Sequence, residues 1–542
     1  MTIGIDELTA VRIALRERWY REGRFTERTI PDELEAAARR WPDAGFVFAS
    51  EAGQSRRTFA DLLGLARRVA GGLQGLGVRR GDVVAIQVPN REEMVAAYYA
   101  AYLVGAVVVP IVHIYGPSEV SFILRDSGAK VLVVPDRWRS IDYAERIDRL
   151  TDVPDLRHVV VVGVGKVGNS VDWAALAGSA PAAAVPLSPD DVCTILYTSG
   201  TTSAPKGVQH THNTLLAEMR SVAPMMDMRE GDAKLVPWPA GHIAGLIAVL
   251  TGLVSGITAV LMDRWDVNLA VRLVEEHRIV CTSGTPLHIA QVLDAAAVTG
   301  ADISSLRLFQ VGGATVPRPL LERAERAGVV VGRAYGSTEH PTVTSPRVSD
   351  PFEKRLGTDG RAYDGERVRV VDESGADVPE GADGEVALQG PAQFVGYRDA
   401  GMDAAAFLPG GWFLTGDIGR LDADGYLTIT DRRKDIIIRG GENIPSREVE
   451  EILARHPAVS EASVVAEPDD TYGERVAAFV LLQDGAGLDL EEVRSHFLAA
   501  GVAPQKTPER LIVVAELPRT SSGKVQKFAL RARLRSEHSA PA

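Results

Sequence analysis

A run of hydroxyls, glycines and one lysine, Tyr197-Thr198-Ser199-Gly200-Thr201-Thr202-Ser203-Ala204-Pro205-Lys206-Gly207, follows the apolar segment Val192 to Leu196. Such a loop can wrap phosphate oxygens with backbone N–H groups, hydroxyl donors and one point charge. Composition alone describes a surface loop equally well. The segment is not a P-loop, because Gly200 leads to Pro205-Lys206-Gly207 where G-x-x-x-x-G-K-[ST] is required. Val311-Gly312-Gly313-Ala314, Tyr335-Gly336-Ser337-Thr338-Glu339 and Trp412-Phe413-Leu414-Thr415-Gly416-Asp417 come next. Asp431-Arg432-Arg433-Lys434-Asp435 and Pro518-Arg519-Thr520-Ser521-Ser522-Gly523-Lys524 follow. Singly, each has a plain alternative: a common turn, a surface carboxylate, a solvated lysine. Asp431 to Asp435 reads from charge alone as a solvated turn.

Their joint occurrence in one order resembles the adenylate-forming superfamily, in its acyl-CoA synthetase branch. The resemblance implies that Thr198, Ser199, Gly200, Thr201, Thr202 and Lys206 hold phosphates. It places Gly312, Gly313 and Ala314 along adenine, and Tyr335, Gly336, Ser337 and Thr338 against adenine and the α-phosphate. Glu339 holds Mg²⁺, Asp417 and Arg432 grip the ribose, and Lys524 is the catalytic lysine with Thr338, Glu339 and Lys206. Lys434 is the hinge of a rotating small domain, and Gly440 and Gly441 line a coenzyme A channel. The usual form has glycine where this chain has Ser203, which stiffens the loop.

The chemistry implied is carboxylate activation by ATP, giving an acyl-adenylate and pyrophosphate, then transfer of the acyl group to coenzyme A. A carboxylate is a poor electrophile until AMP replaces oxide as its leaving group. Pro237 to Gly245 resembles the acyl-pocket segment, with His242, Ile243 and Gly312 as its lining. No acidic residue is placed to greet an α-amino group, and the asparagine of aryl-acid siderophore ligases is absent. The whole chain, especially Arg439 to Ile444 and Leu517 to Phe528, resembles short- and medium-chain acyl-CoA synthetases and ligases of alicyclic acids such as cyclohexanecarboxylate, which implies a medium-chain or alicyclic, apolar acid. Two alternatives stay open: an aryl-acid enzyme that loads a carrier-protein thiol, and a catalytically silent nucleotide-binding protein. His210 and His212 alternate, but two histidines without a third ligand are weak evidence for a metal and are taken as structural.

The elements that must position these groups show in the apolar pattern. Val83 to Val88, Ala106 to Pro110, Val131 to Val134, Val159 to Val162 and Val192 to Leu196 read as buried strands, alternating with helices at Arg91 to Leu103 and Pro117 to Arg125. That alternation predicts an α/β protein with layered, mostly parallel sheets and helices in a large N-terminal domain, residues 1–431. A helix over Glu448 to Arg455 and strands at Ser463 to Val465, Val476 to Leu482 and Leu511 to Val514 predict a small, mobile α+β C-terminal domain, residues 432–542. A length of 542 residues requires more than one globular unit. The net charge of −13 argues against a nucleic-acid partner. Two cysteines exclude a disulfide framework. Gly241 to Met262 holds no charged residue, yet four glycines and His242 divide it, so a buried helix and strand are expected and no transmembrane segment. The N-terminus lacks a signal-peptide pattern, so a cytoplasmic enzyme is expected, with a homodimer left open.

Overall fold

The computed structural model describes residues 3–538 except 166–167, 199–204, 313–315, 434, 440–441, 470–471, 501–503 and 520–522. Two large sheets enclose a layer of helices. One has eight strands, in the order Gly396–Tyr397, Lys206–Thr211, Val192–Thr198, Val107–Pro110, Val83–Ile86, Ala129–Pro135, His158–Val162, Val171–Asp172. The other has seven: Val330–Ala334, Leu308–Gly312, Cys281–Gly284, Ala233–Val236, Thr258–Met262, Gly45–Ser50, Gly53–Thr58. The largest core cluster joins both, with Val84, Val108 and Leu196 from the first sheet and Phe46, Val236 and Leu261 from the second. Helix Glu92–Leu103 lies in that core and buries every residue from Met94 to Tyr102. A helix apolar on all sides belongs in the interior, which explains the membrane-like hydropathy of this stretch.

Gly241 to Met262 resolves into helices Ile243–Leu250 and Gly252–Ser255 and strand Thr258–Met262. No helix among the described residues is long and apolar enough to cross a membrane.

A third sheet lies outside the sequence expectation. Arg367–Val371, Gly384–Gln389, Trp412–Leu421, Phe407–Leu408 and Leu427–Arg432 pair antiparallel. Their charged and half-buried residues hide the apolar runs by which parallel strands are recognised. The C-terminal sheet, Glu442–Ile444, Ile437–Arg439, Gly473–Leu482, Val459–Asp469 and Arg510–Val513, is flanked by helices Ser446–Leu453, Leu490–Ala499 and Lys527–His538. The solvated-turn reading of Asp431 to Asp435 fails. Asp431 and Asp435 are buried; Asp431 accepts from Ser446 Oγ at 3.2 Å, and Asp435 pairs with Arg531 at 2.5 Å. These partners come from the C-terminal helices, too distant in sequence for charge pattern to reveal.

Candidate active site

Strands Val192–Thr198 and Lys206–Thr211 form an antiparallel hairpin in which Thr198 lies opposite Lys206. Ser199, Gly200, Thr201, Thr202 and Ser203 lie outside the described residues. Side chains alternate along a strand, so Lys206, Val208 and His210 share a face. Val208 pairs with Tyr397 on the neighbouring strand, and Lys206 Nζ stands 5.1 Å from the centre of the Tyr397 ring. The Tyr397 hydroxyl donates to Glu339 Oε1 at 2.8 Å. Burial, then the charge of Glu339, raises the Tyr397 pKa, so the phenol remains a donor.

His210 sets the same loop from the other end of the strand. Its Nε2 lies 2.8 Å from the Thr338 carbonyl and its Nδ1 3.2 Å from Thr214 Oγ1. Burial pushes its pKa down to about 4, leaving a neutral ring. A carbonyl only accepts, so Nε2 carries the hydrogen. A second brace comes from His340, whose Nε2 is 2.5 Å from Glu366 Oε2, with both side chains buried. Ser337 N–H donates to the His340 carbonyl at 2.8 Å. Gly336 is required by this tight turn: a Cβ there would lie 2.0 Å from the Pro341 carbonyl oxygen.

Asp417 projects from a bulge. Glu385 pairs with Ile418 but Ala387 with Leu414, so residues 415–417 are looped out of register. Gly416 takes φ +73° to make this turn. Asp417 accepts from the Tyr335 hydroxyl at 2.9 Å and pairs with Arg432 Nε at 3.1 Å, and Arg432 is its register neighbour. Burial alone would lower the Arg432 pKa, but the carboxylates of Asp417, Asp435 and Glu339 outweigh it.

Gly312 ends its strand with open space where a Cβ would stand; Gly313 and Ala314 lie outside the described residues. His242 caps helix Ile243–Leu250 and stacks on Trp238, ring centres 6.2 Å apart. Ile243 packs into the core. Lys524 is exposed, and its positive charge reaches His242: burial first, and then this charge, lower the imidazole pKa. The C-terminal segment thus stands over the His242 end of the cleft. Lys434, Gly440 and Gly441 lie outside the described residues.

The sequence reading matched Gly396-Tyr397 to a family segment without giving the tyrosine a role, missed His340 and Glu366, and treated His210 as merely structural. The only signal was chemical, since polar groups on a buried strand need partners.

A hairpin carrying Lys206, a tyrosine–aspartate–arginine cluster and a C-terminal lysine whose charge reaches His242 are groups of the kind a nucleotide-dependent, acid-activating enzyme uses. Residues 34–398 match the AMP-binding enzyme family, and residues 448–524 match the AMP-binding enzyme C-terminal domain. The chain belongs to this family, in the acyl-CoA synthetase branch of the adenylate-forming superfamily, and is an AMP-forming acid–thiol ligase. It is 34% identical to a medium-chain fatty-acid–CoA ligase of Escherichia coli K12 over 525 residues, 95% of this chain and 92% of that one. It is 37% identical over 514 residues to 3-[(3aS,4S,7aS)-7a-methyl-1,5-dioxo-octahydro-1H-inden-4-yl]propanoyl:CoA ligase of Mycobacterium tuberculosis H37Rv, 93% of this chain and 98% of the relative. Among solved structures, O-succinylbenzoate coenzyme A synthetase from Bacillus subtilis, in complex with ATP and magnesium ion, superposes with a TM-score of 0.79 at 29% identity. That match covers 93% of this chain and 99% of the other.

Proposed function

We propose that this acyl-CoA ligase activates an apolar-bodied acid of modest size, medium-chain or alicyclic. The observation that carries this reading is the aromatic pair Trp238 and His242, stacked with ring centres 6.2 Å apart and within reach of the Lys524 charge. The medium-chain fatty-acid and bicyclic-acid ligases among its relatives support the choice.

In this reading Asp417 and Arg432 hold the ribose, Tyr335 and the 312–314 segment flank adenine, and the hairpin residues with Lys206 hold the phosphates. Thr338 touches the α-phosphate. Lys524 aligns the attacking carboxylate oxygen with the α-phosphorus; the new C–O–P linkage forms as pyrophosphate leaves. Phosphoryl chemistry of this kind depends mainly on positioning and charge neutralisation. A magnesium ion fits at Glu339. One of its oxygens accepts from Tyr397, leaving the other for a hard cation that prefers few protein oxygens plus substrate phosphates. When bound, the ion would neutralise phosphate charge. In the second half-reaction a thiol attacks the acyl carbon and AMP departs. Lys524 must then withdraw, and a rotation of residues 432–542 against 1–431 about Lys434 would bring Gly440 and Gly441 to the thiol path.

The test is AMP release with ATP, Mg²⁺ and coenzyme A against straight-chain acids, cyclohexanecarboxylate, benzoate and salicylate. Turnover concentrated on apolar acids supports the reading. Preference for salicylate, or adenylation that coenzyme A fails to discharge, would replace it with the carrier-loading alternative.

A further inference from the structure

The sheet face that ends at Gly312 continues away from the phosphate hairpin as a row of polar side chains. Ser283 and Gln310 are register neighbours on adjacent strands. Ser283 Oγ accepts from Trp238 Nε1 at 2.9 Å, and Trp238 stacks on His242. On its other side Gln310 faces Gly332, so no side chain competes for its amide there. That amide is poorly satisfied, with Nε2 reaching Ser345 Oγ at 3.4 Å and Met225 Sδ at 3.8 Å.

Buried Tyr363 stands beside Ser345, which its hydroxyl approaches without forming a bond of good geometry. Glu218, on helix His212–Met225, is 1% exposed, and neither carboxyl oxygen has a partner of good geometry among the described residues. The hydroxyl and N–H of Thr342 lie beside it and oppose the shift, yet burial prevails and pushes its pKa up to about 8. At neutral pH Glu218 is therefore a neutral acid with an O–H to donate.

Unpaired buried polar groups are costly and rare; Glu218 and Tyr363 lack partners of good geometry, and beside them Gln310 is only weakly bonded. Trp238, His242, Ser283, Gln310 and Thr342 are each half-buried rather than closed over. A purely aliphatic tail would leave these donors without a partner.

We propose that the acid this ligase activates carries a hydrogen-bond-accepting oxygen, such as a ketone, at the end remote from its carboxylate, received by Gln310, Glu218 and Tyr363. This inference rests on the ligase reading above and names its substrate class.

The experiment compares kcat/KM for AMP release on matched pairs: 3-cyclohexylpropanoate with 3-(4-oxocyclohexyl)propanoate, and octanoate with 7-oxooctanoate. The keto member is expected to win by at least about tenfold, because a site built to bond an oxygen rejects the analogue lacking it. Gln310→Leu and Glu218→Leu should each bring the ratio near unity, while Glu218→Gln, which keeps an N–H donor, should retain most of it. Equal turnover of both members by the unaltered enzyme would overturn this proposal and leave the ligase assignment standing. No AMP release with any acid of the panel would overturn both. The wild-type comparison does not depend on whether the variants fold.

Discussion

Replacing His210 by phenylalanine keeps an aromatic ring of similar size in a fully buried position but removes the donor to the Thr338 carbonyl. The ring is neutral, so the change removes the N–H···O bond to Thr338 at 2.8 Å and, at the other ring nitrogen, the longer contact with Thr214 Oγ1 at 3.2 Å. Leaving a buried carbonyl unpaired costs about 1–3 kcal/mol, or roughly 5- to 150-fold in an equilibrium. Where that cost appears is the informative part. Thr338 precedes Glu339, and the loop can relieve the carbonyl by tilting, which would carry Glu339 away from Tyr397. The expected result is a fall of that size in kcat/KM for pyrophosphate release, with a raised requirement for ATP and Mg²⁺. His210→Gln, whose terminal amide can still donate, should recover most of the loss. Thermal unfolding of each variant separates the two possible sites of the penalty. If His210→Phe unfolds more easily but keeps kcat/KM within about twofold, His210 supports the fold alone and the positioning argument is refuted.

Lys524→Ala should slow adenylation by about 10²–10³-fold, typical for loss of one preorganised charge, yet still convert supplied acyl-adenylate to thioester. Equal losses in both half-reactions would contradict the role given to this lysine. Burial lowers the pKa of His113, His210, His212 and His288 to about 4. Because the unfolded chain binds protons first, their stabilisation is complete above about pH 6.5 and drains away towards pH 4. A loss on the order of 1 kcal/mol per histidine at pH 5.5 follows, read as a lower urea midpoint than at pH 7.5. Glu218 works in the opposite sense: its raised folded pKa weakens the protein as pH climbs from about 4.5 to 8. Glu218→Gln should therefore stabilise by a few kcal/mol at pH 8 and little at pH 5, and a pH-independent difference would count against a buried acid there.

The buried parallel strands were legible because each is a short apolar run: Val83–Ile86 is buried at every position. Order and spacing of the motifs were enough to suggest the family. The antiparallel sheet was not legible, since Arg367, Arg369 and Glu385 interrupt its apolar alternation while answering partners elsewhere, as in the Arg433–Glu385 pair at 2.9 Å. Asp417 was found from its motif, but its orientation depends on the bulge at residues 415–417 and on Arg432 across the ladder. Tyr397, His340 and Glu366 act through contacts with residues tens of positions away. Single residues of ordinary type announce no such contacts.

The strand Lys206–Thr211 also works as a ruler. Lys206 and His210 are four residues apart on one face, roughly 13 Å at the usual rise. Between them Val208 keeps register with Tyr397. Many substitutions on the opposite face would leave that span intact, but inserting or deleting one residue would turn either Lys206 or His210 to the wrong side of the sheet. Divergence in this stretch should therefore proceed by exchange of side chains at fixed length, with changes in length confined to connections elsewhere in the chain.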